Sequence, residues 1–195
     1  KGYTGPDGMQ CAECIAGTYK HVNGSAACAL CSQGKYSTAV AAISESRCSD
    51  CPLHTYSGIG SRELTNCTCN KGYTGLDGVA CAACIAGTYK DVNGSAPCSP
   101  CSEGKYSAET AQISGSTCSD CPAHSYSGLG SGLNCTCNKG YTGPDGAECE
   151  ACEAGGFKDV NGSAACTLCP RGTYSTAAAA ISEATCQGCP SYTYS

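Results

Sequence analysis

The chain has 195 residues, 22 of them cysteine, with a formal net charge of −5. Leu, Ile, Val, Phe and Met together number only 20, too few to build a core that offsets roughly 1.5 kcal/mol of ordering entropy per residue. Crosslinks must take its place, and cysteine at this density marks a disulfide scaffold from an oxidising compartment. The acidic balance, with no basic cluster, argues against nucleic acid and anionic membrane surfaces. No apolar run approaches the ~20 residues of a membrane span. Lys1 opens on no signal peptide, so the expectation is a mature piece of a longer secreted or cell-surface protein.

In chain order, the first informative stretch is Cys14 to Cys31, C-I-A-G-T-Y-K-H-V-N-G-S-A-A-C-A-L-C. Thr18–Val22 and Ser25–Cys28 read as short extended arms joined at Asn23-Gly24, the strongest short signal for a type I′ hairpin turn. Asn23-Gly24-Ser25 is also an N-glycosylation sequon. The stretch from Ser37 to Ser46, and its later counterpart Thr176–Ile181, reads as a single helical turn. Cys51 then leads to Cys67-Thr68-Cys69 and Lys71-Gly72-Tyr73-Thr74-Gly75, which restates Lys1–Gly5 and recurs at Lys139–Gly143. The period is 70 and then 68 residues, the shortening falling where Ser61–Asn66 becomes Ser131–Asn134. Self-comparison thus divides the chain into three cysteine-rich repeats: 1–70, 71–138 and the truncated 139–195.

Aromatic residues obey the same frame. Tyr19, Tyr36, Tyr56, Tyr89, Tyr106, Tyr126, Phe157, Tyr174 and Tyr194 each stand five residues after a cysteine, and Tyr73 and Tyr141 stand four after one. One ring per loop suits a coreless unit in which rings pack on disulfides as miniature cores; an exposed ladder for sugars is the competing reading. The expected structure is a set of small disulfide-rich units with short β-hairpins and little regular structure. Local loop closure further predicts an elongated rod in which the first and third repeats never touch.

The pattern C-x-x-C-x-x-G-T-Y-K…G-S-x-x-C-x-x-C, followed by C-x-C and G-Y-T-G, resembles the cysteine-rich repeat of ephrin-receptor type. That repeat is related in style to tumour-necrosis-factor-receptor and EGF-like modules, so the fold the resemblance implies is a tandem array of such loops. It also implies that each loop closes on the next cysteine: Cys14–Cys28, Cys31–Cys48, Cys51–Cys67, Cys69–Cys81, Cys84–Cys98, Cys101–Cys118, Cys121–Cys135, Cys137–Cys149, Cys152–Cys166 and Cys169–Cys186. Cys11 and Cys189 are then left to partners outside the chain. An interleaved scheme, Cys11–Cys28 with Cys14–Cys31, stays open on sequence grounds. Tetrathiolate zinc is the rival chemistry for paired C-x-x-C. The sequons, the acidic balance and the C-x-C spacing weigh against it, so no metal or other cofactor is expected beyond N-linked glycans.

Five sequons stand at Asn23, Asn93 and Asn161 (N-G-S) and at Asn66 and Asn134 (N-C-T). His21, His54 and His124 read as lone solvent-facing side chains, and no catalytic constellation emerges. Two functions remain. One is an extracellular structural glycoprotein, a segment of a filament, cell-surface hair or wall fibre, whose partners are further repeats, neighbouring protomers or other matrix glycoproteins. The other is the ligand-binding or stalk ectodomain of a receptor or adhesin.

Overall fold

The computed structural model describes residues 1–191. Its regular structure is minimal because the chain offers no run of periodic apolar residues. Two-residue strands pair antiparallel, for example Thr18–Tyr19 with Ala29–Leu30, Lys35–Tyr36 with Ser49–Asp50, and Thr55–Tyr56 with Thr68–Cys69. Among the described residues there is no α-helix, only four single 3₁₀ turns: Glu45–Arg47, Leu64–Asn66, Gly115–Thr117 and Glu183–Thr185.

Each C-x-x-G-x-Y segment makes its strand by the same local steps. Thr18 N–H and Oγ1 both donate to Ile15 O, closing a turn whose third residue, Gly17, has φ 78°. The chain leaves that turn extended, with the aromatic residue on the strand. In the loops that open at Cys51 and Cys121, His54 and His124 hold the glycine position, each at φ 60°. Histidine is among the few non-glycine residues enriched in that region. The pairing strand begins immediately after the cysteine that closes the loop, so the crosslink sits at the base of each hairpin.

Ten disulfides join Cys14–Cys28, Cys31–Cys48, Cys51–Cys67, Cys69–Cys81, Cys84–Cys98, Cys101–Cys118, Cys121–Cys135, Cys137–Cys149, Cys152–Cys166 and Cys169–Cys186. Every bridge closes a local loop, its ends 12 to 17 positions apart. Among the described residues the buried hydrophobic ones are cysteines apart from Ala42, Ala180 and Phe157, so sulfur takes the place of an aliphatic core.

Neighbouring loops are joined by a recurrent backbone ladder. The glycine N–H of one loop donates to the residue six past the next loop's first cysteine, as in Gly17→Ser37 and Gly34→Ser57. That cysteine's own N–H donates back to the same glycine's carbonyl, as in Cys31→Gly17 and Cys51→Gly34. Isolated parallel bridges, Tyr19 with Ala42 and Tyr36 with Ser61, extend the contact.

The chain divides into two compact units. The first comprises Lys1–Cys84, Tyr89–Cys98 and Ala111–Ser114; the second comprises Ile85–Thr88, Ser99–Thr110 and the chain from Gly115 onward.

Three expectations are corrected. Asn23-Gly24 is not a type I′ turn, because only Gly24 has positive φ, and the ladder pairs Tyr19 with Ala29 rather than continuing to the turn. The reason is competition: Lys20 N–H donates to Ala42 O of the next loop, so the strand is diverted before it reaches Asn23. Thr176–Ile181 is not helical, since Ala179 sits at φ 53° and Ala180 bridges Phe157. The helical turn forms later, at Glu183–Thr185, where Ser182 Oγ caps it by accepting from Ala184 N–H. The rings, finally, are not uniformly cores. Phe157 is buried, Tyr19, Tyr36, Tyr56, Tyr73, Tyr89, Tyr106 and Tyr141 are half-buried, and Tyr126 and Tyr174 are exposed. The ring without a hydroxyl is the buried one, since a tyrosine keeps its polar end toward water. Tyr194 lies outside the described residues.

Candidate functional site

The most elaborate constellation lies beneath the N-G-S sequons, and its centre is a lysine. Lys20, Lys90 and Lys158 are only 3%, 2% and 2% exposed. A lysine is almost never so buried unless its ammonium is satisfied, and here backbone carbonyls do this. Lys90 Nζ donates to Tyr73 O at 2.7 Å and also to Gly94 O. Lys158 Nζ donates to Tyr141 O at 2.6 Å and to Gly162 O. Lys20 Nζ donates to Gly24 O. Burial pushes the Lys90 and Lys158 ammonium groups below the ordinary lysine pKa, while Asp77 and Asp145 respectively pull them back up.

Around this ammonium the G-Y-T-G loop and the sequon turn are stitched together. Asn93 Oδ1 accepts from Lys71 N–H at 3.0 Å, Gly94 N–H donates to Cys69 O at 2.8 Å, and Thr74 Oγ1 donates to Ala96 O at 3.3 Å. The second unit repeats the set: Asn161 Oδ1 accepts from Lys139 N–H, Gly162 N–H donates to Cys137 O, and Thr142 Oγ1 donates to Ala164 O. At the first sequon Asn23 Oδ1 accepts from the backbone nitrogen of Lys1 at 2.8 Å, and Thr4 Oγ1 donates to Ala26 O. Each of these asparagines is exposed, and its bond uses the amide oxygen and not Nδ2, the atom that glycosylation modifies.

The N-C-T sites are built differently. Asn66 Oδ1 accepts from Arg62 and Glu63 N–H, both at 3.1 Å, and so closes the 3₁₀ turn Leu64–Asn66. Asn134 lies in the shortened loop, outside any helix or strand. The histidines are not lone: His54 stacks on Tyr73 and His124 on Tyr141, each at 4.0 Å between ring centroids. The left-handed backbone at these two positions turns each imidazole onto the ring, while His21 lies tilted 6.5 Å from Tyr19. Cys11 is exposed and Cys189 half-buried, and neither has a disulfide partner among the described residues. No group of three or more His, Cys, Asp or Glu among those residues is placed to hold a metal ion.

The lysine lock is the feature sequence reasoning missed. Its signal was present: Lys20, Lys90 and Lys158 keep one place in all three copies while the next position changes from His21 to Asp91 and Asp159. Lys90→Met removes the donor from two part-buried carbonyls, each worth ~1–3 kcal/mol when stranded, and a loss of about 2 kcal/mol in urea unfolding is expected. Lys35→Met breaks only the partly exposed pair with Asp50, worth about 1 kcal/mol or less. An amine-reactive ester on the folded chain, read by peptide mass spectrometry, should label Lys71 and Lys139 and spare Lys90 and Lys158. Equal labelling of all four would refute the lock.

Residues 2–48 and 140–186 match the family described as tyrosine-protein kinase ephrin type A/B receptor-like. Over 169 residues, 83% of its length, the chain is 28% identical to Sushi, von Willebrand factor type A, EGF and pentraxin domain-containing protein 1 of Rattus norvegicus. Over 126 residues, 64% of its length, it is 27% identical to the protein of the same name from Mus musculus. It spans about 5% and 3% of the lengths of these two relatives. No helix among the described residues is long and apolar enough to cross a membrane.

Proposed function

We propose that the ephrin-receptor-like cysteine-rich repeats this chain carries make it a structural segment of an extracellular glycoprotein, part of a filament, cell-surface hair or wall fibre. One observation carries the reading: the same small cleft is formed at corresponding loop positions of the first and third copies. A cleft of about 300 Å³ is lined by Tyr36, Ser37, Thr38, Ala39, Ser46, Arg47 and Ser49. Its counterpart of about 280 Å³ is lined by Tyr174, Ser175, Thr176, Ala177, Thr185 and Gln187. These are the same loop positions in the first and third copies. The lysine lock and the N-G-S sequon recur with the same period.

On this reading the segment is non-catalytic and carries N-linked glycans at Asn23, Asn93 and Asn161, with Asn66 and Asn134 as further acceptors. It needs no metal or other cofactor. Cys11 and Cys189 bond to cysteines of further repeats or of neighbouring protomers, and other matrix glycoproteins are its remaining partners. Electron microscopy of the native material tests this. Long filaments with an axial repeat are expected, and monodisperse particles would remove the proposal.

A second reading, a recognition ectodomain, rests on the place where the third copy departs from the others. Glu150 and Glu153 stand where the earlier copies have Ala12 and Ala82, and Ile15 and Ile85. With Thr142, Gly156 and Leu168 they line a cleft of about 350 Å³. Loss of cell or matrix binding on Glu153→Ile, which restores the residue of the other copies, would favour this reading over the first.

A further inference from the structure

The five sequons fall into two structural classes, distinguished by their second and third residues. In N-G-S all three residues stand outside the strands, asparagine and serine are exposed, and no sulfur is involved. In N-C-T the middle residue is a half-cystine: Cys67 is 0% exposed and bonded to Cys51, and Cys135 is 1% exposed and bonded to Cys121. The threonine is committed as well, Thr68 pairing with Tyr56 and Thr136 with Tyr126 in their ladders. A transferase must draw the whole tripeptide into its own cleft, and in the folded molecule N-C-T is held back by its bridge.

We propose that Asn66 and Asn134 are redox-gated acceptors, glycosylated only while Cys51–Cys67 and Cys121–Cys135 are still open, whereas the three N-G-S asparagines are modified regardless. The inference rests on the glycoprotein reading and adds its regulation. Two reactions compete for the same tripeptide. In one, asparagine Nδ2 forms a bond to the anomeric carbon of a lipid-pyrophosphate-linked oligosaccharide, the carbon–oxygen bond to pyrophosphate breaks, and Nδ2 loses a proton. In the other, two thiols lose two protons and two electrons to a disulfide-bearing oxidant of the secretory compartment, and the sulfur–sulfur bond forms. Whichever comes first, the sugar on Asn66 or Asn134 or the bridge at Cys67 or Cys135, decides the site. Occupancy at these asparagines therefore records how fast their loops close.

The test is site-by-site glycopeptide mass spectrometry of the full chain secreted from a eukaryotic host. It is run untreated, with a pulse of membrane-permeant thiol during synthesis, and as Cys51→Ser. Asn23, Asn93 and Asn161 should be occupied under all three conditions. Asn66 and Asn134 should be sparsely occupied in the untreated chain and rise several-fold with the thiol pulse; in Cys51→Ser only Asn66 should rise. The pulse on the unaltered chain keeps the test decisive where the variant folds poorly. Equal occupancy of all five sites in the untreated, fully bridged chain overturns this proposal and leaves the glycoprotein reading standing. So does an Asn66 that stays empty under both perturbations. Empty N-G-S sites overturn the glycoprotein reading and this proposal together.

Discussion

Complete reduction is expected to abolish the fold, while a metal chelator leaves it intact. On the chain-entropy account a bridge closing a 15-residue loop is worth about 3 kcal/mol, and ten bridges close loops of about this size. Ordinary domains are stable by only ~5–15 kcal/mol in total, so the chain has nothing comparable to fall back on once its bridges are broken. Replacing one pair, Cys31→Ser with Cys48→Ser, should lower stability by roughly 3 kcal/mol and expose its own loop to protease first. The measurement is limited proteolysis and circular dichroism with a phosphine reductant, set beside the same experiment in EDTA. A chain that keeps its protease resistance when fully reduced, or loses it in EDTA alone, would contradict this account.

The second large effect is expected from methyl groups added to the backbone ladder. A Cβ on Gly17 would lie 2.2 Å from Gly60 O, and one on Gly87 would lie 2.1 Å from Gly130 O. Both residues also have φ near 80°. Gly34 has similar φ, 73°, but nothing within 4 Å. Alanine at Gly34 therefore meets only the left-handed backbone cost, about 1–2 kcal/mol. At Gly17 or Gly87 the same cost is joined by a clash with a carbonyl that cannot move without breaking the neighbouring loop. Overpacking of this kind adds roughly 1–3 kcal/mol. Urea midpoints for Gly17→Ala, Gly87→Ala and Gly34→Ala decide it: three equal losses would show that backbone conformation alone governs these sites.

The fold class was legible because cysteine spacing is a covalent constraint read directly along the chain. Ten local bridges and two-residue hairpins are what so many cysteines and so few aliphatic residues permit. Spacing alone could not choose between sequential and interleaved pairing. The structure closes each loop on the next cysteine, and the flanking strands form at the base of that closure, as Thr18–Tyr19 does with Ala29–Leu30. What lay out of reach depends on groups without side-chain identity. Lys90 is held by Tyr73 O, 17 residues earlier, and Lys20 N–H is drawn to Ala42 O in the following loop. A carbonyl leaves no letter in the sequence. The Asn23-Gly24 expectation failed for the same reason, since local turn chemistry was outweighed by a hydrogen bond to the next loop.

The shortening of the second repeat carries a consequence for how such chains change over time. Ser61–Asn66 holds a 3₁₀ turn, and its replacement Ser131–Asn134 is two residues shorter and holds none. Yet Gly146 N–H still donates to Cys135 O as Gly78 N–H does to Cys67 O, and the hairpin bases retain their register. At this one loop the bridge holds its place while the number of residues it encloses falls from a separation of 16 to one of 14. Gain or loss of residues inside a loop is then nearly neutral, and so is duplication of a whole unit, because each new copy arrives with its own crosslinks and its own ladder. Genes for such arrays are free to lengthen and contract by unequal recombination, and populations should carry alleles that differ in copy number more often than in cysteine positions.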